Sequence, residues 1–323
     1  MDEKKEYFND VKKVIQQTAQ VVGEKANDAK KKVTEATIKL VDENGNGQID
    51  LEDFVVKALR MPGIHVNRTE FLSGAFMKYC DKDTINKAIE TSPAKAGIGR
   101  DIADKAANES IAKQTTLATA TAVGLGAAPG GIAVDAVTTV ADLGQFYGHL
   151  LIIMQKLMYL YGYPELDLEK NEYGIDDGTM NLIIIGIGTM AGVEAAGKFM
   201  NKLALMLANN VPKILLKGVL AEKAAFQVVK QVLKYFGIKL TRDLAAKGLG
   251  NSIKFFGGAI VGGITLVSFS SSCSNFKKQI SNTPLSDPHY KAQSDIIDVE
   301  FTTIEEVEKE FENDLDFVDE EEK

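Results

Sequence analysis

The run from Ile132 to Tyr161, IAVDAVTTVADLGQFYGHLLIIMQKLMYLY, constrains this chain more than any other stretch. It is apolar along most of its length and reads as one long helix. Nowhere does the chain show the strict period-two alternation of a half-buried strand. A long apolar helix with no sheet to lie on has to be covered by other helices. The expected fold is therefore all-α, a multi-helix bundle with glycine-rich apolar helices. It carries in addition an N-terminal helix with an EF-hand segment and an acidic C-terminal tail. Gly 28, Pro 7 and no Trp fit close-packed helices better than an aromatic-rich sandwich. At 323 residues the chain is long enough for one large core with smaller attachments.

Three parts are expected: an amphipathic helix with a metal loop over 1–62, a helical domain over 63–275, and a linker with an acidic tail over 276–323. Over residues 1–41, Val11, Val14, Ile15, Val21, Val22 and Val33 recur every three or four positions, with lysines on the other face. Beyond the Pro62-Gly63 break, Phe71, Leu72, Phe76, Met77, Ile85 and Ala88 predict two short helices. Thr84 is the expected N-cap of the second. Further helices are predicted to about Ala122, from Ile132 to Tyr161, and over 179–208, 212–237 and 240–270. SNTPLSDPH, from Ser281, reads as a polar linker. Thr303 with Glu306 then forms a capping box for a short helix bearing Ile304, Val307, Phe311 and Leu315.

One stretch names its chemistry. DENGNGQIDLED, residues 42–53, has the ligand spacing of an EF-hand loop. Asp42, Asn44 and Asn46 stand at positions 1, 3 and 5, and Gly47 at the turn. Gln48 offers its backbone carbonyl at position 7, Ile49 is the apolar plug, Asp50 holds position 9 and Asp53 position 12. Ile38 and Leu40 before the loop, with Phe54, Val55, Ala58 and Leu59 after it, complete a helix–loop–helix pattern. The expected ion is Ca²⁺. Asp in place of Glu at position 12 reaches an ion bidentately less easily, which lowers affinity or tilts the site toward Mg²⁺. No twin loop accompanies it, so the site reads as a regulator or a structural clip. The alternative is an Asx-stabilised turn without metal.

Asp135, Asp142 and His149 stand seven residues apart on the long helix, with Gln145 near Asp142, and Glu194 lies within an apolar run. A carboxylate–histidine site between helices is one reading of this pattern. The Glu-x-x-His pairs of di-metal bundles are missing, and a buried polar network or a solvent-facing side explains the spacing more simply. No phosphate-binding glycine loop, nucleophile elbow or HExxH occurs, and the chain has only three histidines. An enzyme is not expected. Basic residues are not interleaved with aromatics along the sequence, which argues against a nucleic-acid surface.

Three blocks carry a family resemblance. GLGAAPGGIAVDAVTTVADLGQFYGHLLIIMQKLMYLYGYPEL (124–166), NLIIIGIGTMAGVEAAGKF (181–199) and KFFGGAIVGGIT (254–265), in that order, resemble the EcsC family of bacterial proteins. The resemblance spans about residues 66–270. It implies an all-α bacterial protein in the cytoplasm, either free there or peripheral at the inner face of the cell membrane, and it transfers no catalytic residue. The metal loop lies outside it as an N-terminal addition.

Charge and hydropathy set the partner expectations. From Asp295 to Lys323 there are 14 acidic and 2 basic residues. With about −12 there against −8 for the whole chain, the remaining body carries about +4. Such a body suits an anionic membrane surface or a membrane-protein partner, with the tail competing; a tail that only aids solubility is the alternative. Residues 255–276 are uncharged, but their apolar part, FFGGAIVGGITLVSF, is shorter than the roughly 20 residues needed to span a bilayer. Cys80 and Cys273 make no metal-binding spacing, and MDEKKEYFND has no apolar signal region, so an intracellular chain is expected.

Overall fold

A computed structural model of the chain describes residues 51–59, 62–126, 132–168, 176–210, 220, 225–236 and 264–292. Side chains are described for all of these except 121–126, 132–144, 177 and 264–268. The predicted 1–41 helix, the loop up to Asp50 and the acidic tail lie outside the described residues.

All regular structure among the described residues is helical, as an all-α multi-helix fold requires. In chain order the helices are α1 (Leu51–Leu59), α2 (Arg68–Phe76), α3 (Lys82–Glu90), α4 (Arg100–Gly126), α5 (Ile132–Leu160), α6 (Asp177–Ala191) and α7 (Glu194–Ala208). A helical segment at 225–236 follows, then α8 (Ile264–Ser281) and a 3-10 turn, Pro284–Ser286. They form two compact units, each assembled from three stretches of chain.

The first unit comprises residues 1–61, 115–149 and 236–269. Its described core is aromatic. Phe54 of α1 stacks on Tyr147 of α5 with ring centroids 5.6 Å apart and planes 11° from parallel. Phe146 meets Tyr147 and Phe269 edge-on, at 5.7 and 6.1 Å. Such pairs add specific geometry to the burial of large apolar surface. Leu51, Phe54, Val55, Ala58 and Leu59 of α1 are buried, which is the helical face the sequence spacing predicts.

The second unit comprises residues 62–114, 150–235 and 270–323. Residues 62–67 are pinned by Gln155 of α5, which is almost fully buried. Its side-chain oxygen accepts from the Val66 N–H, and its amide donates to the carbonyls of Ile64 and Leu151. Gln155→Leu is expected to leave the Ile64 and Val66 backbone groups unpaired and to cost about 2–4 kcal/mol in urea denaturation. An unchanged midpoint would show that this loop is held by something else.

Asn67 caps α2 by accepting from the Glu70 N–H. Buried Arg68 closes α3 from the other side, donating to the carbonyls of Ile89, Ala88 and Thr91 and so satisfying the exposed end of that helix. The N-cap of α3 is Asp81, not Thr84. Asp81 accepts from the Thr84 N–H at 2.9 Å, and Thr84 sits inside the helix with its hydroxyl hydrogen-bonded to the same carboxylate. That donation from Thr84 holds the Asp81 carboxyl below its usual range.

The stretch 179–208 is two helices rather than one. Gly192 takes φ +84°, Val193 N–H bonds to the Gly188 carbonyl and Gly192 N–H to that of Thr189. This Schellman motif ends α6 at Ala191, and α7 starts two residues after Gly192. Gly162 (φ +95°) ends α5 in the same way, with Tyr163 N–H on Met158 and Gly162 N–H on Tyr159. A Cβ there would lie 3.1 Å from both Cγ and the carbonyl oxygen of Leu285. Leu285, Thr283 and Ser286 are buried, so the SNTPLSDPH segment packs through its 3-10 turn. The expected end of α4 near Ala122 moves to Gly126.

Candidate functional site

Five of the six expected metal positions, Asp42, Asn44, Asn46, Gln48 and Asp50, lie outside the described residues. The sixth, Asp53, is in the first turn of α1 and is 0% exposed. Loop positions 10 to 12 (Leu51, Glu52, Asp53) are all helical. Glu52, one residue earlier, is only half-buried, because each step along a helix turns the side chain by about 100°. A carboxylate placed like Asp53 needs hydrogen bonds, opposite charge or a cation around it. The donor set is entirely oxygen, which fits a hard cation such as Ca²⁺ or Mg²⁺ rather than zinc. The residue after Asp53 is Phe54, whose ring rests on Tyr147, so the last ligand position is joined directly to the aromatic core of its unit.

The α5 pattern is placed only in part. The helix is continuous from Ile132 to Leu160, so Asp135, Asp142 and His149 line one side of it. The side chains of Asp135 and Asp142 lie outside the described residues. His149 is half-buried; the buried side-chain oxygen of Gln145 meets no hydrogen-bond donor among the described residues. Glu194 does not sit in an apolar interior. It is the first residue of α7, its side chain is 83% exposed, and it pairs with Lys198 at 3.2 Å. Gly192 breaks the apolar run just before it and turns it outward. Among the described residues no three His, Cys, Asp or Glu side chains converge as a metal site.

The tyrosines that close α5 anchor the second unit. Tyr159, Tyr161 and Tyr163 are all fully buried, and each hydroxyl has a partner. Tyr159 accepts from the Leu166 N–H (3.4 Å), Tyr161 donates to Asp104 of α4 (2.5 Å), and Tyr163 donates to the Met200 carbonyl of α7 (3.0 Å). Lys277 of α8 lies 3.6 Å from the same Asp104 oxygen and donates to Asn108 at 2.9 Å. Burial pushes the Tyr159 hydroxyl up to about 12, with the Glu165 charge adding to it. Burial and the hydrogen bond given to Asp104 hold Tyr161 as a neutral phenol, and burial alone does so for Tyr163. Phenols held neutral in this way are structural hydrogen-bonding groups, Tyr161 and Tyr163 as donors and Tyr159 as an acceptor. Sequence reading picked out the tyrosine ending but not Asp104 or Lys277. The only hint was that Arg100, Asp104 and Asn108 recur at four-residue spacing.

No helix among the described residues is long and apolar enough to cross a membrane. Comparison with family profiles, curated proteins and solved structures finds no match to the chain.

Proposed function

We propose that this is a non-enzymatic, EcsC-like helical protein whose EF-hand loop binds Ca²⁺, with Mg²⁺ as the alternative ion, and couples the ion to a membrane or protein partner. The reading is carried by Asp53. It stands at the twelfth position of a complete oxygen-ligand pattern, is buried on the helix that follows the loop, and precedes a ring stacked on Tyr147. Asp42, Asn44, Asn46, Gln48, Asp50 and Asp53 hold the ion. Occupancy acts on the first turn of α1, and the Phe54–Tyr147 contact passes the effect to the core of that unit.

Calorimetry tests the ion. Millimolar Ca²⁺ is expected to release or absorb heat with the purified protein, and Asp42→Ala is expected to abolish the signal. No heat, or heat unchanged by Asp42→Ala, sinks the site.

A second reading makes the loop a structural clip in a peripheral membrane protein of a transport or envelope system. The close burial of α1 favours it, since a helix seated by Leu51, Phe54, Val55, Ala58 and Leu59 has little freedom to move. Vesicle flotation with and without Ca²⁺ separates the two. Ion-dependent flotation supports coupling, and flotation indifferent to the ion supports the clip.

A further inference from the structure

The helical segment 225–236 buries Ala225, Val228, Val229 and Val232 and turns Phe226, Lys230 and Lys234 to solvent along a single i, i+4, i+8 line. Phe226 is 50% exposed, and the Lys230 ammonium lies 4.6 Å from the centre of its ring. Neither lysine has a carboxylate partner among the described residues. The same helix is seated on α6, where a Cβ on Gly188 would touch both Val232 and Ala196 of α7. The exposed acid at the start of α7, Glu194, is already paired with Lys198. From Ala195 to Thr241 the chain holds eight lysines and one acidic residue, Glu222, in a protein whose net charge is −8.

We propose that this face of 225–236 is a docking surface for an anionic phospholipid bilayer. Lysine is a compact point charge that pairs with headgroup phosphates without fixed geometry, and no arginine fork is present in the stretch. A half-exposed phenylalanine on the same line places an apolar group at the depth where interfacial helices insert theirs, while the lysine stems lie along the boundary. Nucleic acid fits less well. Single-strand binding uses successive stacked aromatics along a basic groove, and this face offers one ring, Phe226, with Lys230 over one side of it. Folding creates this arrangement, since in the linear sequence these residues are spaced four apart and form no basic–aromatic run. The inference rests on the membrane association that both readings above name, and whether the ion modulates that association is decided separately by the flotation with and without Ca²⁺.

The test is flotation of the full chain with vesicles of phosphatidylcholine alone or mixed with phosphatidylglycerol. Binding is expected only to the mixed vesicles and is expected to weaken with added salt. Lys230→Glu/Lys234→Glu is expected to lower partitioning by at least about 25-fold, from about fivefold per lysine lost. Lys230→Gln/Lys234→Gln gives an intermediate loss, and Phe226→Ala a further one. Lys82→Glu/Lys87→Glu, the same charge change on α3, leaves binding near wild type. Circular dichroism melting confirms that each variant is folded. The proposal is overturned if the wild type ignores anionic vesicles, if both lysine pairs cause equal loss, or if a single-stranded oligonucleotide binds this face while vesicles do not. Calcium heat unaltered in Lys230→Glu/Lys234→Glu keeps failure of this surface distinct from failure of the metal loop.

Discussion

Raising the pH from 10 to 12 is expected to unfold the tyrosine-bearing unit of this protein. In an unfolded chain a tyrosine ionises near 10. In the folded unit burial pushes Tyr159 up to about 12, and Tyr161 and Tyr163 are raised further. A raised folded value means that the unfolded chain gives up its protons first. The tyrosine contribution is therefore full below pH 10 and falls as pH climbs through the folded values. Each such group removes about 1.4 kcal/mol per pH unit in that window, so three together remove about 4. Cys273, pushed up to about 12 by burial, adds the same sign from pH 9 upward. Urea denaturation followed by circular dichroism across pH 8–12 measures the slope. Absorbance at the tyrosinate band counts the hydroxyls that titrate only on unfolding; Tyr147, buried in the other unit, belongs with them. Stability that stays level to pH 12 would show that these hydroxyls ionise in place, and the described burial would be wrong.

Gly188→Val is expected to cost the second unit about 2–3 kcal/mol. A Cβ at Gly188 lies 2.4 Å from Cγ2 of Val232, 3.0 Å from its Cγ1 and 3.1 Å from the Ala196 Cβ. Val232 is fully buried, and its branched side chain is stiff at χ1, so it cannot swing aside. Removing a glycine from a helix interior returns up to about 1 kcal/mol, but overpacking a closed core costs about 1–3 or more. The second outweighs the first. Gly186→Ala is the control, because the atom it meets at 2.4 Å is the sulfur of Met154, a flexible side chain that can change rotamer. Chemical denaturation should rank Gly188→Val well below Gly186→Ala. Equal stability would mean that 225–236 is not seated on α6, and the docking face would lose its platform.

How legible each feature was follows from how local its cause is. The long helix was legible almost to the residue, Ile132–Leu160 against an expected end at Tyr161, because a mostly apolar run and Gly162 mark it. The division of 179–208 was not legible. Helix formers flank Gly192, and a glycine in a helix costs only about 1 kcal/mol, so local preference permits either outcome. Asp81 and Thr84 both offer capping oxygens; the competition was decided by the carboxylate accepting two bonds from Thr84. Among the candidate sites, the proposed metal pattern was readable because its six expected positions fall within twelve consecutive residues. Whether Glu194 is interior or exposed was not legible, because its apolar neighbours surround it in sequence but not in space.

What the sequence determined by itself was the all-α class, the helical face of α1 and the spacing of oxygen-bearing residues in DENGNGQIDLED on which the proposed ion site rests. All three depend on spacings of a few residues, over which chain geometry alone sets which groups share a face. Tertiary structure decided what lies opposite those faces. It stacked Phe54 on Tyr147 across 93 positions, joined Tyr161 to Asp104 and Lys277, and set Val232 against Gly188 so that Phe226, Lys230 and Lys234 were left facing out. No local preference links such distant residues. Only the requirement that apolar faces close on one another, with most buried polar groups paired, brings them together.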